Sequence, residues 1–322
     1  MVSLFAFYPG GAEIIAIRLA NEFKRQGMAV LVHSGKALPR ESRIRKMLRN
    51  DVPLLETDDL TEFKDAVTAF GIDVLNTHHW HVQRFPLLYP TAFSGLPGHV
   101  ATLHGMIEAE GGYGVTSEQL RVVDNYVNTW VYTADKNIAP FKTAGLYEQH
   151  IDKFVKIPNG LEPSKESPVS REEMNIPEDS FVFCTVSRAI PEKGWAETIE
   201  VIELARKISG KDIRLVLIGN GKVYDDFCKK GVPDSVYMPG FDSRSVGFYA
   251  AADMGIMLTR FHSESFPLTI VDCLFAGKPY IASDIGEIRN MLSVDDGIAG
   301  AVFKLNSWKI PVSEVVQIVA GF

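Results

Sequence analysis

Short apolar runs that read as strands alternate along the whole chain with amphipathic stretches that read as helices. No other feature restricts the fold as much. Successive strands joined through helices lie parallel, and a parallel sheet has to be covered on both faces. Residues 2–7, 28–33, 73–76, 100–103, 128–132 and 154–158 read as strands of one sheet, with helices over 12–26 and 60–70. A second series places strands over 181–186, 213–218, 236–238, 254–258 and 280–282, with helices over 196–208 and 245–252. Between the two series, residues 162–180 are rich in Pro, Ser and charge and lack periodicity, as expected of a linker. The chain of 322 residues therefore divides into an N-terminal domain over 1–162 and a C-terminal domain over 163–322, with the last helix free to pack back on the first.

The formal charge of −7 argues against a general nucleic-acid partner. Cys184, Cys228 and Cys273 are far apart and follow no disulfide or metal spacing, which fits a reducing compartment such as the cytoplasm. Cys184 and Cys273 sit in apolar runs and read as core. No stretch is long and apolar enough to span a membrane. The N-terminus lacks a basic region and is broken early by Pro9 and Gly10, so it reads as a first strand rather than a signal peptide. The apolar pattern stops abruptly at Phe322, so the expectation is a piece of a longer chain or a short relative of one. The basic run over 36–50 reads as a solvated helix face. Contact with an anionic acceptor, or peripheral contact with the inner face of a membrane, is the alternative.

The most informative stretch is 260–288: loop, helix, tight turn, strand. Pro267 suits the first turn of a helix, Gly277 stops that helix, and Pro279 keeps it from resuming. Glu264 lies just before the helix and Asp272 eight positions further on. Helix N–H groups between Phe266 and Thr269 face the same mouth, where an anion is favoured. Upstream, Arg188 and Lys193 share one loop after a strand. A guanidinium fork and an ammonium point charge suit a diphosphate. Each acid or cation alone would be an ordinary surface residue. Together they make an anion site beside carboxylates for hydroxyl groups, which a sugar nucleotide needs.

The first domain is less specific. Gly10 and Gly11 form a strand–glycine turn–helix opening without the full dinucleotide fingerprint; a turn that is merely sharp would use them equally well. His78, His79 and His81 surround Trp80, but the spacing fits no zinc site and no Cys or acidic ligand is near, so no metal is expected. That run reads as a loop at a strand end, with Trp80 able to stack on a sugar ring. His104 ends a strand, and the glycine-rich residues 108–114 read as an acceptor loop.

The run Glu264-SFPLTIV-Asp272 resembles the signature of the retaining glycosyltransferases of family four, with the second acid one methylene shorter than usual. SRAIPEKGW, with Ser187 where glycine is common, is similar to that family's GRLVPEKG; KIPNGLEP is similar to its VIPNGVD. ATLHG before the acceptor loop, the turn at Gly219 with Asn220 in place of Asp, and the PGF at Gly240 and Phe241 match further segments. The resemblance implies a GT-B fold: two Rossmann-like domains with parallel sheets facing across a cleft. It implies a nucleoside diphosphate sugar donor, a hydroxyl acceptor on a glycan or polysaccharide, and retention at the anomeric carbon by front-side attack, without cofactor or metal. Arg188 and Lys193 would neutralise the leaving diphosphate, Glu264 would bind sugar hydroxyls, and His104 would hold the sugar or stabilise developing charge. Asp272 would bind ribose. Gly10, Gly11, Gly219, Gly240, Phe241, Phe266, Pro267 and Leu268 would complete the donor site. A nucleotide-sugar epimerase of the same fold and a non-catalytic nucleotide-binding domain are the rivals; a dehydrogenase fits least.

Overall fold

The computed structural model describes residues 1–4, 10–37, 42–85, 98–105, 115–163 and 167–322. The chain forms two compact units, Met1–Asn159 and Gly160–Phe322.

The first unit is a seven-stranded parallel sheet in the order β3-β2-β1-β4-β5-β6-β7. Its strands are β1 (Val2–Leu4), β2 (Val32–Ser34), β3 (Leu54–Glu56), β4 (Val74–Thr77), β5 (Gly98–Leu103), β6 (Thr129–Tyr132) and β7 (Phe154–Lys156). Helices α1 (Gly11–Arg25), α2 (Arg43–Met47), α3 (Leu60–Ala69), α4 (Trp80–Gln83) and α5 (Ser117–Asp124) connect them. Helix α1 buries Ala16, Ile17 and Ala20 against Val2, Leu4 and Val32. Helix α3 buries Phe63 and Val67 against Leu31 and Leu75 from the opposite side, so both faces are closed. The basic run carries α2, with Arg45 paired to Glu56 at 2.9 Å and Arg49 to Asp51 at 2.8 Å. The expected strand end at 5–7, Pro9 and the acceptor loop at 108–114 lie outside the described residues.

The second unit is a six-stranded parallel sheet, β10-β9-β8-β11-β12-β15. It comprises β8 (Phe181–Val186), β9 (Ile213–Ile218), β10 (Val236–Gly240), β11 (Met254–Met257), β12 (Tyr280–Ser283) and β15 (Gly300–Phe303); β13 (Ser293–Val294) and β14 (Gly297–Ile298) form a separate small hairpin. The alternation of side chains shows why the strands are continuously apolar. Phe183, Leu215 and Leu217 point to a core under α6 (Trp195–Ser209) and α7 (Val312–Gly321). Val182, Cys184, Val216 and Ile218 point to a second core under α8 (Ser245–Ala251) and α9 (Leu268–Phe275). The last helix packs within its own unit: Val315, Val316 and Val319 join the first of these cores. The linker is less free than its composition suggests. Val169, Met174 and Ile176 are buried in the second core, and Arg171 pairs with Asp253 at 2.9 Å. A polar, proline-rich composition hid three apolar anchors.

Candidate active site

In an open parallel sheet, ligands bind beyond the C-terminal strand ends where strand order reverses, because connections there diverge to opposite faces. In the second unit that point lies between β8 and β11. The loops leaving these two strands carry Arg188, Lys193 and Glu264.

The two loops touch through their backbones. Gly194 has φ +71°, and a Cβ there would collide with the Leu258 carbonyl oxygen. The Arg260 N–H donates to the Glu192 carbonyl at 2.8 Å. This contact brings Lys193 Nζ onto Glu264 Oε2 as an ion pair, with the residues 8 % and 7 % exposed. Thr259 Oγ1 donates to the same carboxylate oxygen at 3.3 Å. Arg188 is exposed; its guanidinium and the Lys193 ammonium both lie 5.4 Å from the centre of the Phe261 ring. Sequence reading missed Phe261, although its place between a strand end and an acid was the available signal.

The neighbouring loops are fixed in the same way. Ser187, where glycine is common in the resembled family, is not among the residues with positive φ, so a side chain fits there. Its hydroxyl accepts a hydrogen bond from Trp195 Nε1 at 2.9 Å. Gly219, after β9, has φ +148°, and a Cβ there would strike the Ser187 carbonyl oxygen. The Gly219 N–H donates to the Gly240 carbonyl at 2.8 Å, which ties β10 to the group; Phe241 beyond it is exposed. Helix α9 starts at Leu268 with Pro267 as its N-cap, one position earlier than expected for the proline, and no side-chain cap is found among the described residues. Phe266 precedes it. Asp272, inside α9, accepts a hydrogen bond from Ser245 Oγ at 2.7 Å, a partner the sequence did not suggest.

In the first unit the strand order reverses between β1 and β4. Gly10 caps α1 and Gly11 is its first residue. A Cβ on Gly10 would run into the Glu13 carboxylate, which folds back over the helix start and lies 3.5 Å from His79 Nε2. The histidines after β4 and β5 meet: His78 Nδ1 lies 2.8 Å from His104 Nε2, and His78 Nε2 lies 2.6 Å from Asn76 Oδ1. Burial first, then His79, pushes the His104 pKa down to about 3, and burial pushes His78 well below the usual imidazole range, so both rings are neutral. A neutral His104 has no charge of its own to offer and can act only through hydrogen bonding. Trp80 begins a short helix and is 6 % exposed within the core beside Ala101 and Leu103. It is therefore a packing residue, and the expectation that it stacks on a sugar is corrected. Among the described residues, no three His, Cys, Asp or Glu side chains gather as a metal site.

Two doubly wound parallel sheets, each with polar side chains gathered where its strand order reverses, define a protein of the GT-B class of Rossmann-like folds. The chain belongs to the glycosyltransferases: residues 166–317 match the model of glycosyl transferases group 1, and residues 9–165 match that of glycosyltransferase family 4. Among solved structures it resembles Anabaena HepE in complex with UDP, at 18 % identity, covering 100 % of this chain and 89 % of that one, with a TM-score of 0.76. HepE in complex with UDP-glucose aligns at 20 % identity over 99 % and 88 % of the two chains, with a TM-score of 0.73. WaaG, a glycosyltransferase involved in lipopolysaccharide biosynthesis, aligns at 16 % identity over 100 % and 90 %, with a TM-score of 0.71. Among curated protein sequences, no match was found.

Proposed function

We propose that this glycosyltransferase moves a sugar from a nucleoside diphosphate donor to a hydroxyl of a glycan or polysaccharide, with retention at the anomeric carbon. The observation that carries the reading is the Lys193–Glu264 pair, flanked by Arg188, at the β8–β11 reversal. The bond from the anomeric carbon to the diphosphate breaks as the acceptor oxygen bonds to that carbon on the same face. The acceptor proton passes to the departing phosphate oxygen. Negative charge grows on the diphosphate, where Arg188 and Lys193 stabilise it, and positive charge grows on the sugar ring, where Glu264 is the counter-charge. This reading needs no metal. Asp272, held by Ser245, takes the ribose; Gly219, Gly240 and Phe241 border the base, and the start of α9 at Phe266, Pro267 and Leu268 faces the phosphates. Gly10, Gly11 and His104 serve the sugar. With the Glu13 carboxylate over Gly10, that turn suits hydroxyl groups better than phosphate. Cys184, Cys228 and Cys273 are free thiols, and we place the reaction in the reducing cytoplasm.

The UDP and UDP-glucose bound to HepE make uridine diphosphate sugars the first to test. Thermal shift with UDP, GDP and ADP and their glucose conjugates is the direct assay. A correct nucleotide at a hundredfold excess over its Kd adds about 2.7 kcal/mol to the stability of the folded chain. No shift with any of them would sink the donor assignment.

A further inference from the structure

His104 sits immediately after β5 and has one ring nitrogen accounted for. Nε2 meets His78, whereas Nδ1 is buried and has no hydrogen-bond partner among the described residues. The surrounding bonds decide which nitrogen carries the proton. Asn76 Nδ2 donates to the Val100 carbonyl and to Thr102 Oγ1, both at 3.2 Å. A carbonyl only accepts, so the Asn76 amide has a fixed orientation and its Oδ1 faces His78. Oδ1 only accepts, so His78 Nε2 must carry its hydrogen. A neutral imidazole has one N–H, so His78 Nδ1 is a bare acceptor. His104 Nε2 must then donate to it, which leaves His104 Nδ1 as a lone pair that no residue described uses. An unpartnered buried polar atom is unfavourable unless something comes to meet it.

We propose that Asn76 and His78 are positioning residues that lock His104 as its Nε2–H tautomer, so that Nδ1 accepts a hydrogen bond from a hydroxyl of the bound sugar. This rests on the reading of His104 as a donor-sugar contact. The ligand chemistry is thereby specified. A sugar O–H fits Nδ1, whereas a carbonyl or carboxylate, which has no hydrogen to give, does not. The rival tautomer would place two acceptors, His78 Nε2 and Asn76 Oδ1, against each other.

The test is long-range ¹H–¹⁵N correlation spectroscopy on the full chain labelled at histidine, with His104 assigned through H104A. The wild type should show a single Nε2–H tautomer at His104, neutral at pH 7. H78F, which removes the acceptor, should show mixed tautomers and lose at least tenfold in kcat/KM with the donor that gives the largest thermal shift. H78N, which puts an amide oxygen where Nδ1 stood, should recover most of that loss. A Nδ1–H or mixed tautomer in the wild type overturns this inference alone and leaves the transferase reading untouched, as does wild-type kcat/KM in a folded H78F. Undiminished transfer by H104A overturns the donor-sugar reading of His104, and this inference with it.

Discussion

Removing the Glu264 carboxylate tests whether the site is built around a buried charge. In E264A the Lys193 ammonium keeps its place, 8 % exposed, without its counter-ion. The Phe261 ring, 5.4 Å away, offers about 2 kcal/mol as a desolvated cation–π partner. Desolvating an ion costs several kcal/mol, so the ring does not replace the carboxylate. E264A should therefore lose about 3 kcal/mol, at the low end for a buried pair stripped of one member. K193A should lose about as much, because among the described residues the Glu264 carboxylate keeps only the 3.3 Å hydrogen bond from Thr259. K193M/E264L, which replaces both charges with apolar groups of similar length, should return to within about 1 kcal/mol of the wild type. Amide hydrogen exchange of the peptides spanning β8 and β11, read by mass spectrometry, measures the stability of these strands. Single variants that each change it by less than about 0.5 kcal/mol, as exposed pairs do, would refute the argument.

In steady-state kinetics, E264Q should lower kcat by roughly a hundredfold, about 2–4 kcal/mol of transition-state stabilisation, while D272N mainly raises the donor KM. An E264Q that raises KM alone would make Glu264 a binding residue only. In calorimetric titration with the nucleotide that stabilises the chain, R188A should weaken binding at least tenfold without loss of stability, because among the described residues Arg188 takes part in no ion pair; unchanged affinity removes its diphosphate role. The last prediction concerns acid. His33 and His99 are buried, and burial pushes each pKa down to about 4. These folded values lie below the unfolded one of about 6.5, so the unfolded chain binds more protons between the two. The stability is fully present above pH about 6.5 and is lost as pH falls towards 4, at up to about 1.4 kcal/mol per pH unit for each histidine. Urea unfolding of the first unit, followed by exchange of its β2 and β5 peptides, should show that slope, and a flat profile from pH 7 to 5 would contradict it.

Much of this was legible in the sequence because a doubly wound sheet writes itself as alternating blocks. The strands at Phe181–Val186 and Ile213–Ile218 have the expected ends, since runs buried on both faces stop abruptly at polar turns. The first unit was harder: β2 and β3 have three residues each, too short to show a pattern. Arg188, Lys193 and Glu264 could be grouped as candidates from the sequence because a strand end followed by charge is a local feature. The links Asn76 to His78 to His104 and Ser245 to Asp272 join residues distant in sequence or facing through the fold, and no local pattern marks them. Trp80 was misread because an aromatic beside histidines looks like a ligand platform. Its burial depends on β5 and α5, which come later in the chain.

The contact of Gly194 with the Leu258 carbonyl, and of Gly219 with that of Ser187, means that the binding end of the second unit is spaced by the thickness of a peptide. Side chains do not set that gap and cannot easily widen it. The charged pair is therefore mounted on a rigid chassis, while Phe261, Phe241 and Arg188 stand outside it. On the proposed reading, substitutions at the two phenylalanines alter which nucleotide or sugar is preferred and leave the chassis in register. Attempts to redirect donor choice should vary those two and hold Arg188 and the glycines constant.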